Sequence, residues 1–166
     1  MKKLLSILLL CFCFSASAQN AFEVRYFDEI FSNVAVISDV VYGQNIAGHT
    51  SEPEDLLMDV YTPYGDDITD RPVIILLHSG DFLPPLLNKK PTGWKNDNHL
   101  VELCRRFAKK GYVAVSANYR LGWNPYSTDP LVRTRGFLQA FYRAQQDVRT
   151  AVRYLRKTVS EMGNPY

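Results

Sequence analysis

Val73-Ile74-Ile75-Leu76-Leu77 puts five apolar residues in a row, three of them β-branched, with no polar alternation. A strand hidden on both faces has that composition, and such strands lie in parallel sheets covered by helices. The segments after it complete a crossover unit. Leu100, Leu103, Cys104, Phe107 and Ala108 recur at helical spacing and form one apolar stripe. Asn98 suits the start of that helix, Lys109 and Lys110 suit its negative end, and Gly111 suits a left-handed stop. Val113 to Asn118 then reads as a second buried strand. Strand, helix and strand of these lengths predict a right-handed βαβ unit.

Around this unit the chain has room for one domain. It holds 166 residues, 46% of them apolar. Val34 to Tyr42 predicts a strand ended by Gly43. Leu57-Met58-Asp59-Val60-Tyr61 alternates and predicts a half-buried antiparallel strand stopped by Pro63. Tyr64 to Pro72, with Gly65, three aspartates and Pro72, reads as a hairpin-like connection. Leu138, Phe141, Gln145, Val148, Val152, Leu155 and Val159 predict a long helix over about residues 137–160, with its arginines on a solvated face. Asp147 stands among those arginines and suits a structural ion pair with Arg120.

The first eighteen residues read as an address. Lys2 and Lys3 precede an apolar run from Leu4 to Phe14, and Ala16 and Ala18 fit the small-x-small pattern of a signal peptidase site. The run is too short to span a bilayer, so no transmembrane anchor is expected after cleavage. A lipoprotein signal at Cys11 would need a small residue where Leu10 stands. We expect a signal peptide at 1–18, a single domain at 19–166, and export to the periplasm, cell surface or medium.

Cleavage leaves Cys104 without a disulfide partner, on the apolar side of its helix, as a buried thiol. His49, His78 and His99 are scattered, so neither a metal nor another cofactor is expected. Without Lys2 and Lys3 the basic residues number 17, equal to the acidic ones. A neutral chain has no electrostatic footprint for nucleic acid. No glycine-rich phosphate loop follows either buried strand, which weighs against a nucleotide-binding βαβ unit.

Taken in order, Tyr42-Gly43, Leu57 to Pro63, Arg71 to His78, Phe107 to Ser116, Asn118 to Gly122 and Gln146 to Val152 resemble the N-terminal half of an α/β-hydrolase. The likeness is to the secreted carboxylesterase and lipase branch and covers most of residues 42–158. It implies a partial α/β-hydrolase fold: a mainly parallel sheet with an antiparallel N-terminal pair and helices on both faces. It also implies that His78-Ser79-Gly80-Asp81-Phe82 is the loop whose backbone N–H groups hold an oxyanion. Two residues depart from the family pattern. Ser79 replaces a glycine, and Asp81 adds a carboxylate where negative charge would develop. Two such charges roughly 4 Å apart repel by about 1 kcal/mol in water and about 4 kcal/mol at an effective dielectric of 20.

The family's chemistry needs a serine on a Gly-x-Ser-x-Gly elbow, followed by an acid and a histidine. No two glycines of this sequence are four positions apart, so the nucleophile, acid and base are expected beyond Tyr166. Ser79 and Ser116 match by residue type alone and read as turn and strand serines, while His78 reads as a support for the loop. The family's sheet order would place a further strand beside Val73–Leu77. Residues 19–166 alone are therefore expected to expose an apolar edge, to aggregate and to leave esters uncut. Two readings stay open: the leading part of an exported serine hydrolase acting on a small-molecule ester, or a non-catalytic binding or surface protein on the same fold.

Overall fold

The computed structural model describes residues 24–48, 50, 52–89, 92–161 and Tyr166. The expected signal peptide and His49 lie outside them. Four strands form one sheet: β1 (Val34–Ile46), β2 (Pro53–Pro63), β3 (Val73–Leu77) and β4 (Val113–Ala117), in the order β1-β2-β4-β3. Between β3 and β4 lie one short turn of helix, α1 (Pro85–Asn88), and then α2 (Asn98–Lys109); α3 (Pro130–Glu161) follows β4.

The protein is an α/β domain with a mixed sheet. β1 and β2 form the N-terminal antiparallel pair, β2 also runs antiparallel to β4, and β3 and β4 are parallel from Val73↔Val113 to Leu77↔Ala117. Helices cover both faces. Leu56, Met58 and Val60 of β2, with Val113, Val115 and Ala117 of β4, face Ala151 and Leu155 of α3. The intervening Tyr61 and Ala114 face Cys104 and Ala108 of α2. Met58, Val60 and Val115 are fully buried, and each contributes roughly 1.5–3 kcal/mol of transfer free energy.

Several sequence expectations change here. Tyr64 to Pro72 does not close a hairpin, because β4 lies between β2 and β3 and pairs with both. β2 is covered on both faces from Met58 to Tyr61, because it sits between two other strands under two helices; its alternation reflects the ion-paired Asp59, not an open face. β1 runs on through Gly43 to Ile46. Gly43 marks a register shift instead of an end, and a Cβ there would stand 3.1 Å from Thr150 Cγ2 of α3. β3 is half-buried, with Val73 and Leu77 exposed, because it pairs with β4 along one edge among the described residues.

In α2 the buried stripe is Leu100, Cys104 and Ala108, flanked by Val101 and Phe107, while Leu103 is exposed. The cap residue is Asp97, not Asn98; its carboxylate accepts from Gly93 N–H at 2.8 Å. The helix ends in a Schellman turn. Gly111 N–H donates to Ala108 O and Tyr112 N–H to Phe107 O, with the Phe107 and Tyr112 rings 5.7 Å apart. Gly111 has φ +100°, a value that suits glycine.

The long helix starts seven residues earlier than its large apolar side chains suggest, and Asp129 Oδ1 accepts from Leu131 N–H at its start. Its buried face is Ala140, Ala144, Asp147, Ala151, Leu155 and Thr158. Leu138, Phe141 and Val159 of the expected stripe are exposed. Small residues let the helix lie close on the sheet, and the larger ones gather beside the edge of β3 that is unpaired among the described residues. Among the described residues, no helix is long and apolar enough to cross a membrane.

Candidate functional site

In an open α/β sheet, ligands bind outside the carboxyl ends of the parallel strands. Here those ends deliver His78 from β3, and Asn118 and Tyr119 from β4. The Tyr119 and His78 rings stack at 4.3 Å and 9°, and the Tyr119 hydroxyl donates to His78 O at 2.8 Å. His78 Nδ1 lies 2.9 Å from Ser79 O. A carbonyl can only accept, so Nδ1 carries the proton and Nε2 keeps its lone pair. Among the described residues Nε2 is buried without a hydrogen-bond partner. Burial pushes the imidazole pKa below its ordinary value, against the opposing effects of the Ser79 carbonyl and Asp97.

After His78 the backbone turns left-handed. Gly80 has φ +131°, Asp81 +56° and Phe82 +57°. Aspartate tolerates this region, whereas phenylalanine there is strained. The turn is tied down through its carbonyls. Gly80 O accepts from Leu83 N–H at 2.9 Å, Asp81 O from Trp123 Nε1 at 2.8 Å, and Phe82 O from Gly122 N–H at 2.8 Å. The Phe82 ring sits 5.6–6.0 Å from the Tyr119, Phe137 and Phe141 rings. Asp81 and Ser79 are exposed, and neither lines the neighbouring cavity.

That cavity has a volume of about 320 Å³ and is walled by Glu54, Asp55, Leu56, His78, Pro84, Gly93, Trp94, Asn118, Tyr119 and Leu121. Its size falls at the lower end for small-molecule clefts. Trp94 belongs to a loop fastened from beneath. Lys95 Nζ reaches Asp59 Oδ1 at 2.7 Å and Asp39 Oδ1 at 2.9 Å, and Lys95 N–H donates to Asn118 Oδ1 at 2.7 Å. The Ser116 hydroxyl donates to Lys95 O.

Arg120 and Asp147 lie just behind this rim as a buried pair, Nη2 to Oδ1 at 2.8 Å. The Arg120 backbone N–H also donates to Asp147 Oδ2 at 2.9 Å, which fixes the exit of β4 on α3. Ser116 is fully buried and holds Lys95. Cys104 is fully buried, and burial, with the Asp59 charge adding, pushes its thiol up to about 12, far from a reactive thiolate.

Sequence reasoning singled out the 78–82 loop and the Arg120–Asp147 pair. It missed Trp94, Lys95, Asn118 and Tyr119 as parts of one site. The 92–97 loop has no periodicity, and a lysine gives no local sign that it will be buried over Asp59.

No family model matches the sequence, and no curated relative matches it. Two solved structures are similar over 93% of the chain. The crystal structure of esterase B from Lactobacillus rhamnosis HN001 is 20% identical with a TM-score of 0.42, and the chain covers 39% of it. The structure of that esterase inhibited by a C4-C4 tributyrin phosphonate is 22% identical with a TM-score of 0.43, and 40% of it is covered. The chain thus spans about two fifths of the length of these esterases.

Proposed function

We propose that residues 19–166 are the N-terminal part of an exported carboxylic ester hydrolase with a partial α/β-hydrolase fold. The protein would act in the periplasm, at the cell surface or in the medium on a small-molecule ester. The left-handed run at Gly80, Asp81 and Phe82, beside a cavity at the carboxyl rim of the sheet, carries this reading. Strain of this kind persists where the surroundings enforce it, and it clusters at ligand clamps.

In this reading the amide N–H groups of Gly80 and Asp81 hold the oxyanion of a tetrahedral intermediate. A serine from the chain beyond Tyr166 attacks the ester carbonyl. Collapse of the tetrahedral intermediate breaks the C–O bond to the alcohol, which leaves with a proton, and keeps the acyl group on that serine. Water then releases the acid. His78 supports the loop through Ser79 O and is not the general base. Arg120 and Asp147 hold the scaffold and take no part in the chemistry. No cofactor enters the scheme.

A second reading, a non-catalytic binding or surface protein on this scaffold, draws on Ser79 and Asp81 standing where the family has glycines. The reading frame beyond Tyr166 separates the two. Gly-x-Ser-x-Gly within about twenty residues, the length of a strand and turn, supports the enzyme. Threonine or glycine at the serine position supports the binder. In the enzyme, Gly80→Ala meets a left-handed φ and Asn88 Nδ2 at 3.0 Å from the new Cβ. It should lower kcat on p-nitrophenyl butyrate by about 10²-fold, the effect of losing one oxyanion donor. Unchanged kcat in a folded variant would remove the oxyanion role.

A further inference from the structure

We propose that the cavity between the carboxyl ends of β3 and β4 binds a neutral polyhydroxylated ring, a sugar or cyclic polyol, with Trp94 as its stacking wall and His78 Nε2 as a hydrogen-bond acceptor. The inference rests on the cavity and not on acyl chemistry, so a binding assay and an ester assay fail independently.

Trp94 is 49% exposed, yet its loop is anchored by an unusual concentration of buried polar groups. Lys95 is 8% exposed, Asp97 7%, Asp59 5% and Ser116 0%. These groups hold the loop at its centre, from Gly93 N–H on Asp97 to Lys95 on Asp59, Asn118 and Ser116. Burying a charge is costly unless it is well paired. Here two buried carboxylates and a lysine rigidify a short loop whose middle presents one flat indole beside the cavity. An aromatic side chain carried by an anchored loop and lining a cavity suits a ligand with a flat C–H face.

The polar lining narrows the ligand further. His78 is 4% exposed and its Nε2 lone pair has no partner among the described residues, so a ligand donor would satisfy a group that is otherwise costly to bury. Glu54 and Asp55 add carboxylates, and among the described residues no lysine or arginine lines the cavity, which disfavours an anion. Asn118 spends its oxygen on Lys95 N–H, so its amide nitrogen has hydrogens left to donate. The wall therefore offers acceptors and a donor together. Hydroxyl groups answer both, whereas an ammonium centre, protonated or quaternary, has no lone pair with which to accept from Asn118.

The test is ligand binding to the whole chain, followed by saturation-transfer NMR. The probes are methyl β-glucoside, methyl β-xyloside, myo-inositol and choline. At least one of the three hydroxylated rings should bind saturably, with its ring C–H protons receiving the strongest transfer. Trp94→Ala should weaken that binding about tenfold and Trp94→Phe much less, since the aromatic plane remains. His78→Phe keeps a ring for Tyr119 to stack on and removes Nε2; it should weaken binding about threefold to tenfold, as expected for one lost hydrogen bond. Failure of all three rings to bind, tighter binding of choline than of any of them, or binding indifferent to both Trp94→Ala and His78→Phe would each overturn the proposal.

Discussion

Asp147 of α3 accepts both the backbone N–H and the guanidinium of Arg120, at 2.8–3.0 Å, in a pair that is 5% exposed on the arginine and 1% on the aspartate. One carboxylate thereby locks the end of a central strand to the long helix. Removing one partner strands the other charge in a dry place. Asp147→Ala should cost about 3–5 kcal/mol. Arg120→Met combined with Asp147→Leu should cost clearly less than that single change. Urea unfolding of the parent and the two variants checks this; a double variant as unstable as Asp147→Ala would show that shape, not charge, is what the pair supplies.

His78 gives stability a pH dependence of definite sign. Burial lowers its folded pKa, so the unfolded chain takes up a proton first as pH falls. The stability from keeping His78 neutral is complete above about pH 6.5, its unfolded value, and drains away below that as pH approaches the lowered folded pKa. The loss between pH 6.5 and 5 should be smaller in His78→Phe than in the parent. Parallel pH slopes for the two proteins would contradict the assignment.

Gly111 closes α2 at φ +100°, with Arg25 Nε 2.9 Å and Cζ 3.0 Å from where a Cβ would stand. Alanine there meets both a left-handed backbone, worth about 1–2 kcal/mol, and a displaced Arg25. The melting temperature of Gly111→Ala should fall by about 5 °C in a domain of this size. Gly65 offers a control, since it has positive φ with nothing within 4 Å of a new Cβ. Gly65→Ala should cost less.

The side of β3 that has no partner strand among the described residues and the large side chains of α3 form one apolar face. Val73, Ile75, Val152, Leu155 and Val159 line one shallow pocket of it, and Leu77, Phe82, Phe141 and Val148 another. An unpaired strand edge beside such a face templates association. The chain should self-associate at micromolar concentration. Phe141→Glu with Val159→Lys, both at exposed positions, should shift sedimentation toward monomer.

The sequence was most legible where one residue type has one use. Val73–Leu77 emerges with the expected bounds because five apolar residues without alternation suit few settings. Gly111 ends its helix because left-handed backbone favours glycine. It was least legible where closeness decides. Large apolar residues pointed to the wrong side of α3, since it is Ala140, Ala144 and Ala151 that let that helix approach the strands. The 78–82 loop was singled out through the resemblance to the hydrolase family, by its place after Val73–Leu77. Trp94 and Asn118 were not, because Lys95 joins them through space, and no spacing along the chain records that.

The clasp at Arg25 sets where the molecule can be held. Arg25 grips Asp66 and Gly111 O, and Tyr26 N–H and Phe31 N–H bond to Lys110 O and Lys109 O, all around the amino ends of β3 and β4. The Trp94 cavity opens at the opposite rim. A purification handle or surface tether joined ahead of Val24 would therefore leave from the back of the sheet, and the protein could be immobilised with its cavity turned toward the bulk solution.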